Sequence, residues 1–147
     1  MIALLQRVTE ASVAIAGERC AEIGPGLLAL IGIRPSDGTE AGERLLDRML
    51  HYRIFADDQG RMNRSVTDVG GGLLLVPQFT LAADTHKGLR PGFSRAAPPE
   101  QARALFEALV EHARRQHGPV GSGLFGADMQ VSLTNDGPVT IWLDTAA

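Results

Sequence analysis

Apolar and polar positions alternate most cleanly near the C-terminus. Met129, Val131 and Leu133 alternate with Gln130 and Ser132, and further on Val139, Ile141 and Leu143 alternate with Thr140 and Trp142. A period of two marks a strand with one buried face, and Asn135-Asp136-Gly137 between the runs has the composition of a hairpin turn. Pro138, just past the turn, removes a ladder donor at the mouth of a strand. Its bond to Gly137 is open to either isomer, since trans is favoured before proline by only about 0.5–1 kcal/mol. Such a corner is either a structural turn or a rigid wall of a binding site, with two backbone carbonyls held in a fixed direction.

Two unbroken apolar runs read as strands buried on both faces: Leu27–Ile33 after Gly24-Pro25-Gly26, and Leu73–Val76 after Gly70-Gly71-Gly72. The second runs into Pro77-Gln78-Phe79-Thr80-Leu81, where Gln78 and Thr80 turn the strand end polar. Strand ends of this kind often carry binding groups on a rigid scaffold, or the two side chains merely satisfy local backbone. Ile2–Val8 and Ser12–Ile15 predict two further strands, the latter leading to a turn at Gly17-Glu18.

Leu45, Leu46, Met49 and Leu50 fall at helical spacing and predict a helix over Glu40–Tyr52 with Thr39 as N-cap and a solvated charged face of Glu43, Arg44, Asp47 and Arg48. A second helix opens at Pro98-Pro99 and carries the stripe Ala102, Leu105, Phe106, Leu109, Val110 and Ala113 to about Gln116. Asp57–Gly60 reads as a turn, and Gly118–Gly123 breaks the chain before the terminal hairpin. The pattern predicts a mixed α/β (α+β) fold: a twisted, mixed, partly barrel-like sheet with two main helices and a C-terminal β-hairpin, in a single domain over 1–147.

Composition narrows the function classes. The 147 residues are 44% hydrophobic and 21% charged, as in ordinary globular proteins. No apolar run approaches the roughly 18 residues of a membrane span, and no secretion signal is visible, so a cytoplasmic location is expected. The single Cys20 fits a reducing compartment and reads as a small packing residue before a nucleophile. A net charge of −3 without a Lys/Arg block argues against a grip on long nucleic acid, DNA included. Any RNA contact should be concentrated at a terminal nucleotide. The stretch between Ala82 and Pro99 lacks periodicity and holds Lys87, Arg90 and Arg95, which either meet phosphates or form a solvated loop.

The usual catalytic signatures are missing: there is no Gly-x-Ser-x-Gly, no His-Glu-x-x-His, no cysteine pair and no phosphate loop. His51 and His112 fall within predicted helices, His86 and His117 in or beside loops, and none shows metal-ligand spacing, so no metal or other cofactor is expected. His86, near the Thr80 segment, is either a surface residue or a general base. Asp128 and Asp136 form no evident acid–base pair.

Together, Gln78-Phe79-Thr80-Leu81 and Asn135-Asp136-Gly137-Pro138-Val139-Thr140 resemble two motifs of the D-aminoacyl-tRNA deacylases, in order and at similar spacing. Weaker matches extend the resemblance along nearly the whole chain, in Met1–Val8, Tyr52–Phe55, Lys87–Phe93 and Phe125–Val131. The resemblance implies an ester hydrolase that clears D-amino acids, and glycine, from tRNA. It assigns the scissile carbonyl and oxyanion site to Gln78, Phe79 and Thr80, and the terminal adenosine to Met129 and Phe125-Gly126-Ala127. Gly137-Pro138 would be a Gly-cis-Pro wall rejecting the L side chain, reaching into the neighbouring subunit of a symmetric homodimer whose sites are shared. An aminoacyl ester beside a free ribose hydroxyl is already activated, and one backbone oxyanion donor can contribute about 2.7–4 kcal/mol, so no strong nucleophile is required. The chain departs from the commoner pattern in having Pro77 and Gly92 where relatives often carry serine. Two other readings compete: a non-catalytic dimeric module binding aminoacyl-nucleotide ends, and a small esterase using the Thr80 hydroxyl.

Overall fold

The computed structural model describes residues 1–146. Along the chain lie β1 (Ile2–Ile15), β2 (Glu18–Ile23), β3 (Gly26–Gly32), α1 (Thr39–His51), β4 (Phe55–Ala56), β5 (Met62–Arg64), the single turn α2 (Val66–Val69), β6 (Gly72–Pro77), a 3₁₀ turn (Phe79–Ala82), α3 (Pro99–Gln116), β7 (Val120–Ser122) and β8 (Gln130–Asp144). The mixed α/β class and barrel-like sheet are those expected from the sequence.

β1 is one strand rather than the two expected, because polar Thr9 and Glu10 mark an exposed bend and not a break. One of its edges pairs antiparallel with β2 (Ala11 opposite Ile23) and then with β3 (Val8 opposite Gly26, Ile2 opposite Gly32). The connecting turn uses Ala16 at φ 51° and Gly17 at φ 83°. β2 escapes the sequence reading because Glu18, Arg19 and Glu22 hide any alternation. It also exposes Cys20, which was expected to pack inside.

The other edge of β1 carries the C-terminal stretch. Both alternating runs lie where expected, with the turn between them, but each run pairs with β1 and not with its neighbour. From Gln6 to Val8, β1 advances two positions while β8 steps back five, from Thr140 to Asn135. The surplus residues are pushed out as a corner.

β3 and β6 then pair in parallel, and β6 pairs in parallel with β7, a short strand hidden in the sequence by its glycines. The first rung of the β3–β6 ladder is glycine against glycine: a Cβ on Gly26 would sit 2.0 Å from the Gly72 carbonyl oxygen. β7 returns beside β2, where a Cβ on Gly121 would lie 3.5 Å from that of Ala21, and the sheet curls almost closed.

Leu73 to Val76 are fully or almost fully buried on both faces, as the unbroken apolar run demands. On one side Leu73 and Leu75 join Ala3, Leu5 and Leu27 against Leu45, Met49, Phe106 and Leu109 of the helices. On the other, Leu74 and Val76 join Val8, Val13, Ile23 and Leu28 inside the curled sheet. α1 starts one residue earlier than the sequence suggests: Gly38, not Thr39, is its N-cap. The carboxylate of Asp37 is unavailable for capping, since it accepts from the Arg34 N–H and the Met1 α-amine, each at 2.7 Å. No described helix is long and apolar enough to cross a membrane.

Arg34, just after β3, donates both guanidinium arms to the Asp144 carboxylate at 2.8 and 2.7 Å, fastening the end of β8 to the opposite edge of the β1 pair. These hydrogen bonds pull the Asp144 carboxyl down to about 2 from an ordinary 3.8. A depressed folded-state pKa stabilises fully above the unfolded value and is lost as pH falls through the folded one. Asp144→Asn should therefore lower the Tm by about 2–4 °C at neutral pH. In a thermal-unfolding series the gap between variant and wild type should close between pH 4 and pH 2, and a gap independent of pH would contradict this account.

Candidate active site

The site begins where β6 ends. The Gln78 N–H donates to the Ile31 carbonyl at 2.7 Å, one rung beyond Pro77, and the chain then tightens into the 3₁₀ turn. Gly32 makes room for that turn: a Cβ there would lie 2.9 Å from the Cβ of Leu81 and 3.5 Å from the Gln78 oxygen. The turn is closed by Leu81 N–H to Gln78 O (3.2 Å) and Ala83 N–H to Thr80 O (3.1 Å). Its first donors, the N–H groups of Phe79 and Thr80, have no acceptor among the described residues, as the geometry of a helical start dictates.

A cleft of about 680 Å³ opens beside this turn. Gln78 and Phe79 form one wall, Phe125, Gly126, Ala127 and Met129 another, and Ile31, Val76 and Pro77 lie along the strand ends. Phe93 and Ser94 close the rim, the Phe93 ring tilted against Phe79 with centroids 5.0 Å apart. The sequence-predicted groups therefore converge with two exceptions. Thr80 does not line the cleft, and its hydroxyl accepts from the Gln78 side chain. Gly137 and Pro138 do not line it.

None of the residues lining the cleft is ionisable. His86 stands apart on the surface, 2.8 Å from the Asp84 carboxylate. Asp128 is exposed, and Cys20 borders a separate groove along α3. Among the described residues no three His, Cys, Asp or Glu side chains gather as a metal site would require. What the cleft offers chemically is main-chain polarity inside apolar walls.

Several contributors were not legible in the sequence. Gly123 admits Met129 to the wall: a Cβ there would meet the Met129 sulfur at 2.8 Å and the Pro77 ring at 3.3 Å. Arg103 lies over the Phe125 ring, 5.3 Å from its centroid. Pro77 lines the cleft and brings no hydroxyl to it. Gly92 sits opposite Asp84, where an added Cβ would make ordinary 3.7 Å contact, so a serine there would fit equally well.

The corner at Asp136–Val139 is a second, separate feature. The Gly137–Pro138 peptide is cis, with Gly137 at φ 136°, and both residues are exposed. Arg7, only 15% exposed, reaches the corner from β1, donating to the Asp136 carbonyl at 3.0 Å and to the Ile54 carbonyl at 2.6 Å. Asn135 closes it from within: its Oδ1 accepts from the Val139 N–H and its Nδ2 donates to the Thr140 hydroxyl, both at 2.8 Å. Arg7 was hidden because one arginine in an apolar strand reads as an edge residue.

The sequence pattern of the D-Tyr-tRNA(Tyr) deacylase family matches residues 4–144. The chain belongs to this family. It is 61% identical to the D-aminoacyl-tRNA deacylase of Azotobacter vinelandii over 144 residues, covering 98% of this chain and 99% of that one. A solved structure described as c-Myc DNA Unwinding Element Binding Protein superposes with a TM-score of 0.95 at 41% identity, over the full length of both chains. Another, a probable eukaryotic D-amino acid tRNA deacylase, gives 0.84 at 16% identity over 97% of each, a likeness of fold.

Because the 3₁₀ turn of this deacylase-family chain rests on Gly32, Gly32→Ala should move the turn while leaving both core clusters in place. Displacing reactive groups by less than an ångström is enough to cut kcat/KM about ten- to a hundredfold. Steady-state deacylation set beside thermal unfolding checks this; a Tm collapse with unchanged activity of the folded fraction would contradict it.

Proposed function

We propose that the chain hydrolyses the ester of D-aminoacyl-tRNA, and of glycyl-tRNA, while sparing L-aminoacyl-tRNA. Membership of the deacylase family makes it a hydrolase of the aminoacyl-tRNA ester, and such a substrate supports the expected cytoplasmic location. The observation that carries the finer reading is a cleft with no ionisable wall, opening beside a turn whose first main-chain donors are unpaired. Such a site is suited to an ester activated by its own ribose hydroxyl, with the unpaired Phe79 N–H, at the start of the turn that borders the cleft, holding the developing oxyanion. Gln78 and Phe79 position the acyl group, and Phe125 to Ala127 with Met129 receive the terminal nucleoside. A Thr80 nucleophile is disfavoured, since its hydroxyl is held by Gln78 outside the cleft.

Selectivity needs a barrier against the L side chain, because a better fit for one methylene gives only about 1–3 kcal/mol. The Gly137–Pro138 corner has the properties of such a barrier: it projects, lacks a flexible side chain and is braced by Arg7 and Asn135. Within one chain it does not line the cleft, so the reading requires a second copy to supply it. The helix-free face of the sheet supports that arrangement. Leu4 lies there between Leu30 and Trp142, and Trp142 is 52% exposed. Leu30, Met129 and Val131 pack on the same inner cluster, which joins this face to the cleft. A C2 pair laid face to face would cover the apolar patch and complete two sites at once.

Purified protein should deacylate D-tyrosyl-tRNA rapidly, leave matched L-tyrosyl-tRNA intact and be indifferent to chelator; survival of both esters would overturn the reading. Trp142→Glu should yield a folded monomer by sedimentation and circular dichroism with little activity toward the D-ester. A monomer that kept both activity and selectivity would refute the shared site.

A further inference from the structure

The loop between the 3₁₀ turn and α3 is more ordered than its lack of periodicity suggests. Asp84 and Gly92 exchange backbone hydrogen bonds of 2.7 and 3.0 Å, closing the loop at its base. The Asp84 carboxylate then turns inward on the loop, accepting from the His86 N–H at 3.0 Å and lying 3.7 Å from Arg95 Nε. The same His86 and Arg95 contacts hold its carboxyl below the usual range, so it remains an anionic anchor. The ring contact between Phe79 and Phe93 ties the loop to the oxyanion turn.

Charge is distributed unevenly. Residues 82–99 carry Lys87, Arg90 and Arg95 against the single acid Asp84, a net +2 in a chain of −3, which leaves −5 for everything else. Asp84 faces Arg95, while Lys87 and Arg90 have no ion-pair partner among the described residues and stand exposed on either side of Gly88-Leu89. The segment is thus net positive in a net negative chain, and its Phe93 and Ser94 lie on the rim of the cleft.

We propose that Lys87 and Arg90 bind backbone phosphates of the tRNA acceptor end, with Asp84 and Arg95 bracing the loop that presents them. The proposal rests on the deacylase reading and adds where the RNA beyond its last nucleoside is held. Two phosphate contacts make binding salt-dependent through counterion release, with a slope of about −0.7 per contact on single-stranded ends and about −0.9 on duplex. They carry no base preference, as suits an enzyme that meets many tRNAs.

The test compares two substrates: D-tyrosyl-tRNA, and D-tyrosyl ester of adenosine, which has no phosphate. Lys87→Ala/Arg90→Ala should raise KM for the tRNA about tenfold at low salt with kcat nearly unchanged, and flatten the slope of log KM against log salt by about 1.4–1.8. The same variant should treat the adenosine ester as wild type does, and Leu89→Ala should behave as wild type on both. Equal losses on both substrates would mean that the loop acts on cleft geometry, and unchanged KM for the tRNA would mean that the cations are solvent-facing only. Either result overturns the proposal. Wild-type protein inert toward both esters would instead strike at the deacylase reading itself.

Discussion

Everything in this fold is hung on the two edges of β1. A central strand must satisfy hydrogen bonds on both sides, and β1 does so with β2 and β3 on one edge and β8 on the other. Both partners break over the same short stretch. Gly24-Pro25 separates β2 from β3 opposite Val8–Ala11, and the Asp136–Val139 corner interrupts β8 opposite Gln6–Val8. The bend that lets the sheet curl is thus also the bend that ejects the corner. Arg7, just before the bend, holds a carbonyl of the corner and one beyond α1. Strand curvature and corner presentation are two outcomes of one register mismatch.

Much of this was legible from residue pattern. The buried runs Leu27–Ile33 and Leu73–Val76, both long helices and the turn at Asn135–Gly137 follow from periodicity and punctuation. What escaped did so for identifiable reasons. β2 and β7 carry too many polar or glycine residues to show alternation, and their place is decided by neighbours. Thr9-Glu10 reads as a break because a bent strand and an ended strand have the same local composition. The partner of each C-terminal run is a tertiary fact, since alternation specifies a face and not a neighbour. Among site residues, Gln78, Phe79 and the Phe125–Met129 wall were nameable by motif resemblance. Gly32, Gly123 and Arg7 were not, because their roles lie in the room they leave or the carbonyls they reach.

The cleft is shaped in large part by where side chains are missing. Gly32 seats the 3₁₀ turn, Gly123 admits Met129 and the Gly26–Gly72 rung draws β3 and β6 together at the far end. Each position removes a side chain so that backbone can be placed where chemistry or packing requires it. On the proposed reading, rigid main-chain dipoles would need no reorganisation when charge develops. The corresponding weakness is intolerance: a methyl group would collide with backbone at Gly26 and with the Leu81 Cβ at Gly32, while at Gly123 it would displace the Met129 sulfur.

A cleft built of apolar rings and main chain also has an unusual chemical temperament. Within one chain it presents no thiol, amine, imidazole or carboxylate, so none of the usual strong nucleophiles stands on its wall. The soft atom on its wall is the thioether sulfur of Met129, pressed toward Gly123 and the Pro77 ring. Conversion of that sulfur to a sulfoxide would set a polar, branched group where the space was cut for a slender apolar one. Of the side chains on that wall, it is this thioether whose oxidation would change the shape of the cleft most directly.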